Sequence, residues 1–343
     1  MPVDPRYARQ ALFAPLGERG QEALGRSTVL LVGCGALGTH LADSLARAGV
    51  GCLRIVDRDF VERSNLHRQS LFDERDVEEG LPKAMAAARR LEAINPAIRI
   101  EPVAAHLDAG NITRHAEGAD LLLDGTDNFE TRFLLNDRAL QSGTPWVYAA
   151  CVGAYGMTMT ILPGVTPCLR CLVREPPPPG SVETCDTAGI LGPAAALASA
   201  LAAGEAIKIL SGARDACSRD LVAFDLWANT TQRLALSRGA MSRGCPACDE
   251  GRYEFLERRL GTSAITLCGR NAVQIRPGPG RAADLDAIER RLVPLGPVTR
   301  NAYLLRAGID GCTLAIFADG RAIISGTSDE ARARALYDRY VGA

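Results

Sequence analysis

The feature that most limits how this chain can fold is a strand, a glycine turn, a helix and a second strand in immediate succession. Residues 27–32 (STVLLV) form an apolar run that enters Gly33-Cys34-Gly35-Ala36-Leu37-Gly38, and an alanine- and leucine-rich helix follows as far as Gly49. Residues 52–57 (CLRIVD) then read as a second buried strand that closes on an acid, Asp57. Two apolar strands joined through a helix form a βαβ unit, whose strands pair in parallel. The turn also carries chemistry. Gly33, Gly35 and Gly38 let the backbone approach phosphates, whose charge is met by amide N–H groups and the positive end of the helix. An acid about 20 residues further on can accept hydrogen bonds from ribose hydroxyls, a role open to Asp57. Alone, the motif predicts an adenine nucleotide without choosing between NAD and ATP, and a tight turn that binds nothing has the same spacing.

The alternation continues down the chain. Residues 82–94 read as helix, 98–103 and 119–124 (ADLLLD) as strands, 130–142 as helix and 146–150 as strand. The predicted fold class is α/β, a Rossmann-like, mostly parallel sheet with helices on both faces. Residues 173–190 are the expected crossover loop, because Pro176 to Pro179 and Gly180 exclude helix and central strand. A buried alanine-rich helix over 193–210 and a strand over 220–227 complete a first domain assigned to residues 1–250. From 251 to 343 short strands are expected near 263–275, 303–306, 313–318 and 321–324, with helices at 283–293 and 328–340. They describe a small α+β domain whose role the sequence leaves open.

With 39 basic against 40 acidic residues, the net charge of −1 leaves no field to hold nucleic acid or an anionic membrane. No apolar run approaches the roughly 18 residues of a membrane span, and residues 1–10 carry no leader pattern, so the expected compartment is the cytoplasm. There the 11 cysteines are read for metal or thiolate chemistry rather than for disulfides. Cys168-Leu169-Arg170-Cys171 and Cys245-Pro246-Ala247-Cys248 are two CxxC knuckles, whose four thiolates close a tetrahedral Zn²⁺ site. With every position filled by protein, such a metal is structural. A redox pair or an iron–sulfur cluster is the alternative.

Asn65-Leu66-His67-Arg68-Gln69 and Leu81-Pro82-Lys83 add two cations and two amides on segments leaving the nucleotide unit. A triphosphate can use them, since AMP transfer builds charge on the α-phosphate and on the departing pyrophosphate. Solvated surface charges are the alternative for Arg68 and Lys83. Gly125-Thr126-Asp127-Asn128 follows the ADLLLD strand, where open α/β sheets bind ligands. Asp127 is placed to hold Mg²⁺ on phosphates, and both Asp127 and Asn128 are also suited to cap the helix that follows.

Together these residues resemble the ThiF/MoeB/HesA family, the bacterial relatives of ubiquitin-activating enzymes. The resemblance runs from Arg6-Tyr7-Ala8-Arg9-Gln10 through residues 20–24, the glycine turn, Asp57 with Asp59, residues 65–69, Lys83, Ile94-Asn95-Pro96, Thr126-Asp127-Asn128 and both knuckles. It implies ATP-dependent adenylation of the terminal Gly-Gly carboxylate of a small ubiquitin-like sulfur carrier such as ThiS or MoaD. Further implications are ribose contact by Asp57, phosphate contacts by Arg68 and Lys83, Mg²⁺ at Asp127, a homodimer in which Arg9 reaches the partner's nucleotide, and a cysteine desulfurase or rhodanese as sulfur donor. Cys185 aligns with a cysteine that ThiF-like relatives use in sulfur transfer, and a plain exposed thiol is its other reading. Two departures stand out: Gly125 where relatives often carry cysteine, and Ala36 in place of the second glycine of a Gly-Gly pair. Alternatives of other classes are an NAD-dependent oxidoreductase and a non-catalytic scaffold that docks a ubiquitin-like protein.

Overall fold

The computed structural model describes residues 4–178, 181–257, 265–267, 271–275 and 283–341. Among these, one compact unit takes the residues up to 178 and from 188 to 257, and a second takes 181–187 with those from 265 onward.

The first unit is built on an eight-stranded sheet of β1 (Thr28–Val32), β2 (Cys52–Asp57), β3 (Arg99–Ala104), β4 (Leu121–Asp124), β5 (Trp146–Val152), β6 (Tyr155–Ile161), β7 (Asp220–Asp225) and β8 (Thr230–Ala235), in the order β3-β2-β1-β4-β5-β6-β7-β8. Strands β3 to β5 in that order pair in parallel, and β6, β7 and β8 extend the sheet antiparallel. Its main helices are α1 (Gly17–Arg26), α2 (Ala36–Ala48), α3 (Lys83–Ile94), α4 (Phe129–Ser142) and α5 (Gly192–Leu210).

Strand alternation sends β1 side chains into two cores. Val29 and Leu31 pack with Leu41 and Leu45 of α2, Leu91 of α3 and Ala198 of α5, whereas Leu30 and Val32 pack with Phe133 of α4 and Trp146. Helices therefore cover both faces, as the alternation of elements predicts. Gly49 ends α2 in the left-handed conformation, at φ 83°, and Asn128 caps α4. The strand order reverses between β1 and β4, which opens a crevice at their carboxyl ends.

Three expectations need adjustment. Strands β6 and β8 are additions to the expected set: Met157-Thr158-Met159-Thr160-Ile161 of β6 does alternate apolar with polar residues, whereas β8 is exposed at all six positions on the sheet edge. Helix α5 has 19 residues and a mean hydropathy of 1.4 over its most apolar window, enough by length and composition to cross a membrane, contrary to the reading that no run approaches a span. Ala194, Ala195, Ala198, Ala202 and Ala206 are nonetheless buried in the first core, so it packs as a core helix. Within the crossover region, Cys185–Ala188 is a helical turn rather than extended chain. Pro179 and Gly180, and residues 263–264 and 268–270 of the stretch expected to hold strand near 263–275, lie outside the described residues.

The second unit holds an antiparallel sheet of β9 (Ile265–Leu267), β10 (Ala272–Ile275), β11 (Val298–Arg300), β12 (Leu304–Ile309), β13 (Cys312–Phe317) and β14 (Ala322–Ser325), ordered β11-β12-β13-β14-β10-β9. Helices α6 (Leu285–Leu292) and α7 (Glu330–Tyr340) start at the caps Asp284 and Asp329. Their Ile288, Leu292 and Leu336 pack with Val273, Leu305, Leu314 and Ile324 of the sheet.

Candidate active site

The crevice is made first of backbone. Gly33 follows β1 at φ 87°, and a Cβ there would lie 2.6 Å from the Gly125 carbonyl oxygen at the end of β4. A Cβ at Gly38 or Gly125 would overlap the Gly33 carbonyl oxygen. Three backbones thus touch where any side chain would separate them. Gly35 is different, because the nearest atom to a Cβ there is Gln69 Nε2 at 3.9 Å. The amino end of α2 is open at that point, on the side where helix termini receive phosphate.

Asp57 closes β2 beside this turn. Its Oδ2 accepts from the Cys34 amide at 2.6 Å and its Oδ1 from the Asp59 amide at 2.7 Å. Desolvation pushes the Asp57 carboxyl upward, the Lys83 ammonium pulls it down, and Asp59 pushes it up again. Burial likewise raises the Cys34 thiol well above its ordinary range, so the cysteine inside the glycine turn is a packed, neutral group.

Lys83 opens α3 and is only 2% exposed. Its Nζ stands 3.5 Å from Asp59 Oδ2, and its amide donates to the Asp59 carbonyl at 2.9 Å. A buried ammonium between carboxylates is not a solvated surface charge. Arg68 is half-buried and donates from Nη1 to the Ser64 carbonyl at 2.7 Å. Asn65 caps its own turn, its Oδ1 accepting from the Glu62 amide at 3.3 Å. Gln69 is 2% exposed, and its Oε1 is buried without a hydrogen-bond donor.

At the end of β4, Asn128 Oδ1 accepts from the Thr131 amide at 2.8 Å, so the capping task falls to Asn128. Asp127 is exposed and, among the described residues, makes no hydrogen bond or ion pair. Behind it lies a pair that sequence reasoning missed: Asp124, fully buried, and Arg132, whose Nε donates to Asp124 Oδ2 at 2.9 Å. A charge at the end of the apolar run LLLD and another on helix α4 were the available signal.

Two predicted residues remain. Arg9 is exposed near the far end of α2, where its neighbour Gln10 donates to the Ala48 carbonyl at 2.9 Å. Cys185 begins the helical turn Cys185–Ala188, falls within the second unit and is half-buried.

The four knuckle cysteines converge. All four Sγ atoms lie within 4.8 Å of one another, with Cys168 to Cys171 and Cys168 to Cys245 both at 3.7 Å and Cys171 to Cys248 at 3.4 Å. Tetrahedral Zn²⁺ with sulfur at about 2.3 Å calls for about 3.8 Å between sulfurs, so the donor set fits this metal. Helix α4 anchors the knuckles: Asn136 Oδ1 accepts from the Leu169 amide at 2.9 Å and Asp137 Oδ2 from the Phe255 amide at 2.9 Å. Arg170, 4% exposed between two cysteines, pairs with Glu254 at 2.9 Å.

The model of the ThiF family matches residues 7–247 of the chain. The sulfur carrier protein ThiS adenylyltransferase of Bacillus subtilis is 43% identical over 339 residues, covering 98% of this chain and 99% of that protein. The SAMP-activating enzyme E1 of Haloferax volcanii is 38% identical over 252 residues, covering 74% and 91%. Among solved structures, Escherichia coli MccB with ATP superposes with a TM-score of 0.60 at 22% identity, covering 72% of this chain and 74% of that one, a likeness of fold.

Proposed function

Because this chain belongs to the ThiF family, we propose that its crevice adenylates the C-terminal carboxylate of a small ubiquitin-like sulfur carrier ending in Gly-Gly. ATP is the co-substrate and pyrophosphate the leaving product. The observation that carries this reading is Lys83, a buried cation held beside Asp57 and Asp59 at the glycine turn. Hydride transfer has no use for such a charge; phosphoryl chemistry does.

A carboxylate is already ionised at pH 7, so no general base is needed. One carboxylate oxygen bonds to the α-phosphorus, the bond from that phosphorus to the bridging oxygen breaks, and pyrophosphate departs with the electron pair. The chain's part is to orient the reactants and neutralise charge. Gly33, Gly35 and Gly38 bring amides to the phosphates, Asp57 takes the ribose, and Lys83 with Arg68 meets the phosphate charge. Asn65 shapes the turn that carries Arg68, and Gln69 brings its Nε2 to the side of the turn at Gly35. Asp127, exposed and unencumbered, would hold Mg²⁺, which supplies charge neutralisation on the phosphates. The four cysteinates would hold Zn²⁺ as a structural brace.

In this reading the active form is a homodimer, with Arg9 of each copy serving the other. Cys185 is the thiol within this chain that attacks the carrier acyl-adenylate, forming a thioester as the acyl–phosphate bond breaks and AMP leaves, and a cysteine desulfurase or a rhodanese is the sulfur donor to the carrier. The test is ATP–pyrophosphate exchange with a Gly-Gly-ending carrier: Lys83→Ala and Asp127→Ala should each abolish it. Undiminished exchange in both variants would refute the site assignment.

A further inference from the structure

Asp124 and Arg132 form the one fully enclosed ion pair at the crevice among the described residues, at 0% and 6% exposure. Their hydrogen bonds converge on a single residue. Asp124 Oδ1 accepts from the Thr126 amide at 2.8 Å and from its hydroxyl at 2.7 Å, while Arg132 Nη2 donates to the Thr126 carbonyl at 2.7 Å. The same Nη2 reaches the Ala149 carbonyl of β5 at 3.2 Å, so β4, α4 and β5 are tied at one point. The rings of Phe129 and Tyr148 flank the guanidinium, with centroids 5.4 and 5.1 Å from its carbon.

Such a pair is a poor way to stabilise a fold, since desolvation of both charges offsets most of their attraction. What it does well is fix geometry. The residue it fixes immediately precedes Asp127, whose carboxylate makes no hydrogen bond or ion pair among the described residues and meets Arg132 only as a nearby charge. On the carboxyl side Asn128 is fixed by its cap. Asp127 is therefore positioned by its two backbone neighbours, with the nearby Arg132 guanidinium adding a direct electrostatic attraction.

We propose that the Asp124–Arg132 pair is the positioning device for Asp127, setting the affinity for the divalent cation that accompanies the nucleotide. This rests on the adenylyltransferase reading for its ligand, and the test separates the two. Mn²⁺ is titrated, by electron paramagnetic resonance, into full-length protein saturated with an ATP analogue carrying methylene between the α and β phosphorus atoms. Arg132→Lys keeps the charge but loses the guanidinium fork, and should weaken Mn²⁺ binding at least tenfold. Nucleotide binding in metal-free buffer should stay within twofold of wild type.

Lys83→Ala is the contrast, weakening the nucleotide with or without metal. Should Arg132→Lys fail to fold, Thr126→Val removes the hydroxyl donor while leaving the pair, and should weaken Mn²⁺ about threefold. Unchanged Mn²⁺ affinity in a folded variant overturns the proposal, as does a parallel loss of metal-free nucleotide binding or wild-type protein that binds no Mn²⁺ with the analogue. Absent pyrophosphate exchange in wild type would instead refute the activity while leaving this titration readable.

Discussion

A mixing experiment with Arg9 probes where the active unit ends. Tyr7 and Gln10 pin the amino-terminal segment to the carboxyl end of α2: Gln10 donates to Ala48, Asn95 donates to the Tyr7 hydroxyl at 2.7 Å, and a Cβ at Gly49 would meet the Tyr7 ring. The glycine turn is at the other end of that 13-residue helix, about 20 Å away at 1.5 Å per residue. No arginine side chain spans that distance, which is the reason to expect that Arg9 serves another copy's nucleotide. Leu12 and Phe13, 76% and 65% exposed beside it, offer apolar surface for such a copy. Arg9→Ala and Asp127→Ala should each be inactive in pyrophosphate exchange. Random subunit exchange makes about half of the dimers mixed, and each mixed dimer has one site with both groups, so activity should recover to about a quarter of wild type. A mixture no better than its parents, after tagged subunits prove exchange, would show that Arg9 works within its own chain or merely anchors the segment.

Three further outcomes are expected. Zinc should co-purify at about one per chain, and its removal by a chelator should lower the melting temperature; iron, or no metal in freshly reduced protein, contradicts this. Burial pushes the Asp137 carboxyl up to about 6 from the ordinary 3.8, so the native state holds its proton more tightly than the unfolded state does. Stability therefore falls as pH rises from about 4 to about 6, by on the order of 3 kcal/mol, and the whole penalty is present above that range. Asp137→Asn should then gain on wild type in denaturant unfolding of metal-loaded protein between pH 5 and pH 8, and a gap that does not change with pH speaks against it. Finally, Cys185→Ser should keep pyrophosphate exchange yet form no covalent carrier adduct; if wild type forms none either, the thiol has no such role.

The parallel half of the sheet was legible mainly because β1, β4 and β5 are apolar runs, and residues 52–57 coincide with β2 to the residue. Strand β8 was not, since TTQRLA at a solvent-facing edge has no buried side to impose alternation. The residue types of the crevice were readable from spacing, but their environments were not. Nothing local distinguishes Lys83, which is enclosed, from Arg68, which keeps solvent access, because the difference arises from segments far off in the chain. The same holds for Asn128 over Asp127 as cap, both being good caps, and for Arg132, whose partner lies on another element. The knuckles were the most transparent feature, as four thiolates in two short motifs admit few arrangements.

The mutual contact of Gly33, Gly38 and Gly125 has an evolutionary side. At each position the obstacle to a methyl group is a peptide unit of another member, not a side chain that could rotate aside. A change at any one must therefore wait for a backbone shift that the other two oppose, so the trio cannot be left by single steps. Cys34 and Ala36, lying between them, face no such veto from that contact. A cysteine at the place of Gly125 would need a wider separation between the ends of β1 and β4, and that separation, more than the residue itself, is what a lineage would have to inherit.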